Sequence, residues 1–158
     1  MPGFLFSWRV VIRCSINEEI LIQSPASQRQ NHQGIPVAVI ELTKENFEDT
    51  VSQGSFVIVD FWAPWCGPCR SFAPTYEKVS EDHPNVVFAK VNTEDEQEIA
   101  MHFQIRSIPT LMIFREKVII FSQAGALPEG AFRDLIEKAG ELDMAEVHKQ
   151  VADEQGQA

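Results

Sequence analysis

The 158-residue chain has only three cysteines, Cys14, Cys66 and Cys69, too few for a scaffold built on disulfides. It lacks any apolar run approaching the roughly 18 residues of a membrane-spanning helix, so a membrane is not expected as a partner. Positive charge is scarce. Lys and Arg number 13 against 23 Asp and Glu, a formal charge of −10, which argues against a nucleic-acid partner. No internal repeat is visible. Beyond Cys66 and Cys69, only Cys14 and four scattered histidines remain as soft donors. A tetrahedral zinc site needs four ligands, so no metal is expected. What is present, 44% hydrophobic and 23% charged residues, is the composition of one ordinary globular domain with trimmings.

The chain is organised around Trp65-Cys66-Gly67-Pro68-Cys69. A pair of cysteines two residues apart can close a small disulfide ring or supply half of a metal site, and the flanks decide between these. Upstream, Phe56 to Trp62 is a near-continuous run of strand formers, suited to a strand buried on both faces. Downstream, Arg70 to Asp82 reads as a helix. The cysteines therefore sit where a strand ends and a helix begins. Free backbone N–H groups and the helix dipole stabilise a thiolate there, and the thiolate is the species that attacks disulfides. Gly67 and Pro68 suit a tight turn into a first helical turn. Cys66, at the helix edge and able to be exposed, is read as the attacking sulfur. Cys69, one turn in, is read as the resolving one.

The stretch Val59-Asp60-Phe61-Trp62-Ala63-Pro64-Trp65-Cys66-Gly67-Pro68-Cys69 resembles the active-site segment of the thioredoxin family. The resemblance runs from about Val39 to about Ala139, and includes Ile108-Pro109-Thr110 and Gly125-Ala126. It implies a thioredoxin-like α/β fold, a central mixed β-sheet flanked by helices. The implied activity is protein-disulfide reduction by dithiol–disulfide exchange through Cys66 and Cys69. No bound cofactor is implied beyond the redox-active Cys66–Cys69 disulfide. The partners implied are disulfide-containing target proteins and a flavin-dependent thioredoxin reductase. The protein is expected to be a cytoplasmic monomer. A binding module that holds unfolded protein is the rival reading, and the intact cysteine pair argues against it. Gly-Pro between the cysteines looks like the reducing type of the family rather than an oxidase or isomerase.

Asp60 lies among apolar residues in its strand, where a carboxylate is costly unless paired or protonated. It either points outward at a strand end or has a role. The resemblance implies that it lies beneath Cys69 and accepts its proton, with Lys90 nearby on the neighbouring strand. The plainer alternative for Lys90 is a snorkelling edge lysine. The resemblance also implies that Pro109 follows a cis bond and faces the cysteines, leaving Ile108 backbone groups to pair with an incoming peptide. Trp62 is read as packing. Trp65, Gly67, Pro68, Ile108, Gly125 and Ala126 are read as the contact surface, with Arg106 at its rim.

Three regions are expected: a flexible extension over 1–36, a thioredoxin domain over 37–140, and an acidic helical tail over 141–158. Within the domain, the pattern predicts a strand over Val37–Leu42 and a helix over Lys44–Val51 capped by Thr43. A strand over Val86–Val91 and a helix over Thr93–Phe103 follow, the latter with Ile99, Met101 and Phe103 inward. Thr110–Phe114 and Val118–Phe121 read as a hairpin across a turn without Asn-Gly chemistry. The last helix of the domain opens at Pro128 or Glu129 and turns Phe132, Leu135 and Ile136 inward. A break at Gly140, an extra helix over Glu141–Val151 and frayed residues 153–158 complete the expectation.

The extension is apolar to Cys14 but interrupted by Arg9 and Arg13, against a secretory signal, and Glu18-Glu19 counts against a transit segment. Residues 23–34 have linker composition with almost nothing to bury, and so cannot offset their ordering entropy. A chain starting near Pro36 is therefore expected to keep full activity and nearly full stability. Denaturant midpoints of the two lengths test this, since a loss above roughly 1 kcal/mol exceeds ordinary surface effects. Such a loss would mean that Phe4, Phe6, Trp8, Val10 and Ile12 pack as an edge strand instead.

Overall fold

The computed structural model describes residues 39–156. The expectations for the extension, including Cys14 and the alternating Phe4 to Ile12 stretch, lie outside the described residues. The elements run β1 (Ile40–Glu41), α1 (Phe47–Gln53), β2 (Phe56–Trp62), α2 (Gly67–Asp82), β3 (Val87–Asn92), α3 (Gln97–His102), β4 (Thr110–Arg115), β5 (Val118–Ala124), α4 (Glu129–Glu141) and α5 (Met144–Gly156). The five strands form one sheet in the order β1-β3-β2-β4-β5. β1, β3 and β2 are mutually parallel, and β4 and β5 are antiparallel. This is the mixed sheet flanked by helices that the resemblance implied. Among the described residues, no helix is long and apolar enough to cross a membrane.

The alternation of side chains along β2 sorts its residues into two cores. Val57, Val59 and Phe61 pack with Val91, Met112 and Phe114 on one face. Ile58 packs on the other with Phe72, Val79, Phe88, Phe132 and Ile136 from β3, α2 and α4. Asp60 has the parity of Ile58 and therefore faces the layer that contains α2.

Several element boundaries differ from the sequence expectation, each for a local reason. α1 begins at Phe47 rather than Lys44, and Asn46, not Thr43, is its N-cap. The Asn46 side chain bends back instead, accepting from the Thr43 N–H at 2.7 Å and donating to the Glu41 carbonyl at 3.1 Å. α3 is shorter than predicted because Asn92 ties the preceding turn: its amide donates to Asp95 at 2.7 Å and its carbonyl oxygen accepts from the Glu94 N–H at 3.1 Å. Ile99 is buried, but Met101 is 73% exposed, since two residues on it falls on the opposite face of the helix.

At the other end, Gly140 does not break the chain. It lies inside α4, and its carbonyl accepts from Arg115 at 3.1 Å. The break comes at Leu142 and Asp143, whose carboxylate accepts from the Ala145 N–H at 2.9 Å and so starts α5. α5 continues to Gly156, into the stretch 153–158 that was expected to fray. Met144 is buried in the α2–α4 core, with Leu142 and Val147 packed against it, so the segment read as an acidic tail has an apolar side seated on the domain.

The β4–β5 hairpin turns on Glu116 and Lys117, both in the left-handed region at φ 49 and 71. That conformation matches the twist of a hairpin but disfavours residues with a Cβ. Glu116 is held by His148 on α5 at 2.8 Å. Lys117 has no such tie among the described contacts, so Lys117→Gly is expected to stabilise the domain by about 0.5 kcal/mol. An unchanged or lowered urea midpoint would show that the turn is not the strained point.

Candidate active site

β2 ends at Trp62 and α2 begins at Gly67, so residues 63–66 turn the chain from the end of the central strand into a helix N-terminus. Cys66 is the N-cap of α2, and its Sγ accepts from the Cys69 backbone N–H at 3.2 Å. Cys66 and Cys69 are joined as a disulfide, with Cα atoms 5.3 Å apart. Cys66, expected at an exposed edge, is 4% exposed, close to the 2% of Cys69. The reason is the packing around the closed ring: Ala63 joins the two sulfurs in a small buried cluster against Trp62 and Ile108. The two sulfurs differ in surroundings rather than in burial.

The loop from Arg106 to Thr110 lies against Cys66. The Ile108–Pro109 bond is cis, and the Ile108 carbonyl oxygen is 3.8 Å from Cys66 Sγ. The Gly125 N–H donates to the Pro109 carbonyl at 2.7 Å. Gly125 does so with φ +104, a region that favours glycine. Pro109 is buried, while Gly67, Pro68, Arg106, Gly125 and Ala126 are exposed. Trp65 is 65% exposed, and its indole N–H donates to Glu94 at 2.6 Å. Trp62 is partly buried, as expected of packing. The structure therefore brings Cys66, Ile108, Pro109 and Gly125 to one place, with Trp65 exposed beside the cysteine.

Cys69 faces inward. It lines a cavity of about 90 Å³ shared with Asp60, Trp62, Tyr76 and Lys90. Asp60 is 5% exposed, which disposes of an outward-pointing strand-end aspartate, and its Oδ1 has no hydrogen-bond partner. Burial pushes its carboxyl up to about 7, against the opposing charge of Lys90. Lys90 stands directly across from Asp60 in the β2–β3 register. Its Nζ lies 5.1 Å over the Trp62 ring, so it acts on Asp60 through space rather than by a bonded ion pair. His83 sits at the end of α2, 2.9 Å from the Val79 carbonyl, and His148 serves the hairpin turn, so both have structural work away from the sulfurs. Among the described residues no group of three or more His, Cys, Asp or Glu could hold a metal ion.

Two residues at this site were not singled out from the sequence. Tyr76 lies seven positions after Cys69, a spacing that places both on one helix face and could have drawn attention to it. Glu94 reaches Trp65 from a loop 29 residues away in sequence, and no local pattern announces that.

Comparison with known proteins agrees with the geometry. The thioredoxin family model matches residues 38–138. A Streptomyces coelicolor protein assigned as "thioredoxin 2" is 57% identical over 121 residues, covering 77% of this chain and 90% of that one. The structure of a mutant thioredoxin from Halobacterium salinarum superposes with a TM-score of 0.64 at 29% identity, covering 70% of this chain and 98% of that one. Plasmodium falciparum thioredoxin superposes with a TM-score of 0.60 at 37% identity, over 63% and 98% of the respective chains.

The raised proton affinity of Asp60 has a consequence for stability. The folded protein holds this proton up to about pH 7, whereas the unfolded chain releases it near 3.8. Stability from this group is thus complete below 3.8 and is lost as pH rises through 7. The full effect is on the order of 4 kcal/mol. Asp60→Asn should abolish it, so the variant's advantage over the parent in urea midpoint should be larger at pH 8.5 than at pH 4. Equal differences at the two values would show that Asp60 is not titrating in a desolvated site.

Proposed function

The chain belongs to the thioredoxin family, and from that premise we propose how its residues divide the work of disulfide exchange. The protein is a dithiol–disulfide oxidoreductase, a protein-disulfide reductase whose reactive pair is Cys66 and Cys69. In the reduced form, the Cys66 thiolate attacks one sulfur of a target disulfide. A mixed disulfide forms, and the other target sulfur leaves as thiolate. Asp60, as carboxylate, takes the proton of the Cys69 thiol. Cys69 then attacks Cys66 Sγ, closes the Cys66–Cys69 disulfide and expels the second target sulfur. Two electrons and two protons pass to the target. The two sulfurs suffice, and no bound cofactor enters the cycle.

The observation that carries this assignment is the asymmetry of the pair. Cys66 Sγ has a backbone N–H donor and a helix N-terminus, which favour a thiolate. Cys69 has a buried carboxyl across a shared cavity, which favours a thiol with a base at hand. Lys90 tempers the proton affinity of that base. Pro109 sets the Ile108 backbone beside Cys66 for pairing with an extended target segment. Trp65, Pro68, Ile108, Gly125 and Ala126 form the apolar surface around it. A Cβ on Gly67 would meet nothing within 4 Å, so the surface beside Cys66 is open at this position. Recharging falls to a flavin-dependent thioredoxin reductase. We read the chain as a monomer of the cytoplasm, where thiols are kept reduced, contributing to electron transfer to proteins and to thiol balance.

Reduction of insulin disulfides in the presence of excess dithiol tests the activity, and peptide mapping after mild alkylation tests the roles. Turnover should require both cysteines, and label should enter Cys66 before Cys69. Insulin kept soluble without any dithiol-dependent turnover would indicate a holding module, and preferential labelling of Cys69 would reverse the roles.

A further inference from the structure

Trp62 joins the redox centre to the lysine beside Asp60. It lies two residues after Asp60 on β2, so the two side chains share a face of the sheet. Its side chain packs against the cluster of Ala63, Cys66 and Cys69, and the Lys90 ammonium lies over its ring, 5.1 Å from the centroid. The indole N–H has no hydrogen-bond partner among the described residues, so the ring is placed by packing and by Lys90. Lys90 faces two acceptors of its charge. The Asp60 carboxyl stands straight across the β2–β3 register, and the Trp62 ring stands two residues further along β2. Strand side chains lean along the strand, and a flexible lysine stem can serve either neighbour. All three side chains line one cavity, which leaves the ammonium room to swing. The negative face of an indole attracts an ammonium, and more strongly where water is excluded. Lys90 accordingly acts on Asp60 by charge at a distance, with no hydrogen bond between them.

We propose that Trp62 is a positioning residue for the exchange: its ring holds the Lys90 ammonium off the Asp60 carboxylate, and so preserves the strength of the base that serves Cys69. The proposal rests on reading Asp60 as the acceptor of the Cys69 proton. An ammonium seated on the carboxylate would favour the charged form, lower its proton affinity and leave a weaker base. The other groups around Asp60 are Cys69, Arg70, Tyr76 and Glu77 on α2, while β4 places only apolar Leu111 opposite it. On the far side of Lys90, β1 places the exposed Glu41. The Tyr76 hydroxyl is taken up by the sheet, 2.9 Å from the Ile58 carbonyl and 2.7 Å from the Ala89 carbonyl. Of these groups, Lys90 is the one whose charge acts on Asp60, against the effect of burial. Burial is fixed by the fold, so the resting place of the ammonium is the adjustable part of the balance.

Trp62→Leu removes the π face and frees the ammonium. Carbon-13 titration of the Asp60 carboxyl in the full chain should show its midpoint lowered by at least ~0.5 pH unit, about threefold in proton affinity. The pH at which resolution of the Cys66 mixed disulfide is half-maximal should fall by the same amount. Trp62→Phe keeps a weaker face and should lie between the leucine variant and the parent. In a Lys90→Met background, Trp62→Leu should leave the midpoint where Lys90→Met alone puts it. A shift that persists without Lys90 would mean that Trp62 acts by keeping water from Asp60, and would overturn the proposal, as would an unmoved midpoint in the single variant. A midpoint that moves only with Lys90 present, while the resolution profile stays, would uphold the hold of Trp62 on Lys90 and overturn instead the acceptor reading of Asp60. Should the variants fail to fold, the wild-type chain decides. Ring current from Trp62 should shift the Lys90 ε-methylene protons upfield of those of the exposed Lys44 and Lys78, and the shift should survive at pH 8.5, where the Asp60 carboxylate competes for the ammonium. Loss of the upfield shift as Asp60 ionises would show that the ring does not hold Lys90.

Discussion

Asp60 sits in the middle of a strand whose neighbours Val57, Ile58, Val59 and Phe61 are all fully buried. Among the described residues it holds the one buried carboxyl side chain. Taking a lone carboxylate out of water costs several kcal/mol unless something answers it. Here the answer is partial. Strand alternation aims the group at the α2 layer, so it cannot escape to solvent without slipping the whole of β2 in register. Lys90 is fixed opposite by the parallel pairing of β2 and β3, yet its ammonium rests over Trp62 instead of on the carboxylate. The group therefore titrates near neutrality, neither locked as an ion nor kept permanently neutral. That intermediate state is what a reversible proton acceptor requires, and the positions of α2, β3 and Trp62 all bear on it.

The same arrangement separates two chemically identical side chains. Cys66 and Cys69 are bonded to each other and almost equally buried, but one meets the start of a helix and the other meets the cavity. A difference in field, not in exposure, distinguishes them. The parts that create it are far apart in the chain: α2 supplies the N–H groups, β2 the carboxyl, β3 the lysine, and the loop before β4 the carbonyl beside Cys66.

Much of this was legible in the sequence because it is written locally. The apolar run over Phe56–Trp62, the Gly-Pro step into α2 and the isolated Asp60 each violate or satisfy a short-range rule that can be read without coordinates. Elements whose ends are decided by competing interactions were misread. Thr43 looked like a cap, but Asn46 folded its side chain back and took the position. Gly140 looked like a stop, but Arg115 from β4 holds its carbonyl within the helix, and Asp143 starts the next one. Met101 was grouped with Ile99 and Phe103 as inward, but two residues from Ile99 it lies on the opposite face of the helix. Tyr76 and Glu94 act through partners brought together by tertiary packing, so residue type and spacing could hint at the first and not at all at the second.

The ring closed by Cys66 and Cys69 spans a sequence separation of only three. A crosslink that short forbids few shapes to the unfolded chain. Loop-closure scaling gives it on the order of 2 kcal/mol, against about 4.7 for a loop of a hundred residues. The protein opens this bond each time it is recharged and closes it each time it delivers electrons. A staple across the domain would make every such cycle a swing in foldedness. This one lets the chemistry alternate while the architecture is held by its two hydrophobic layers.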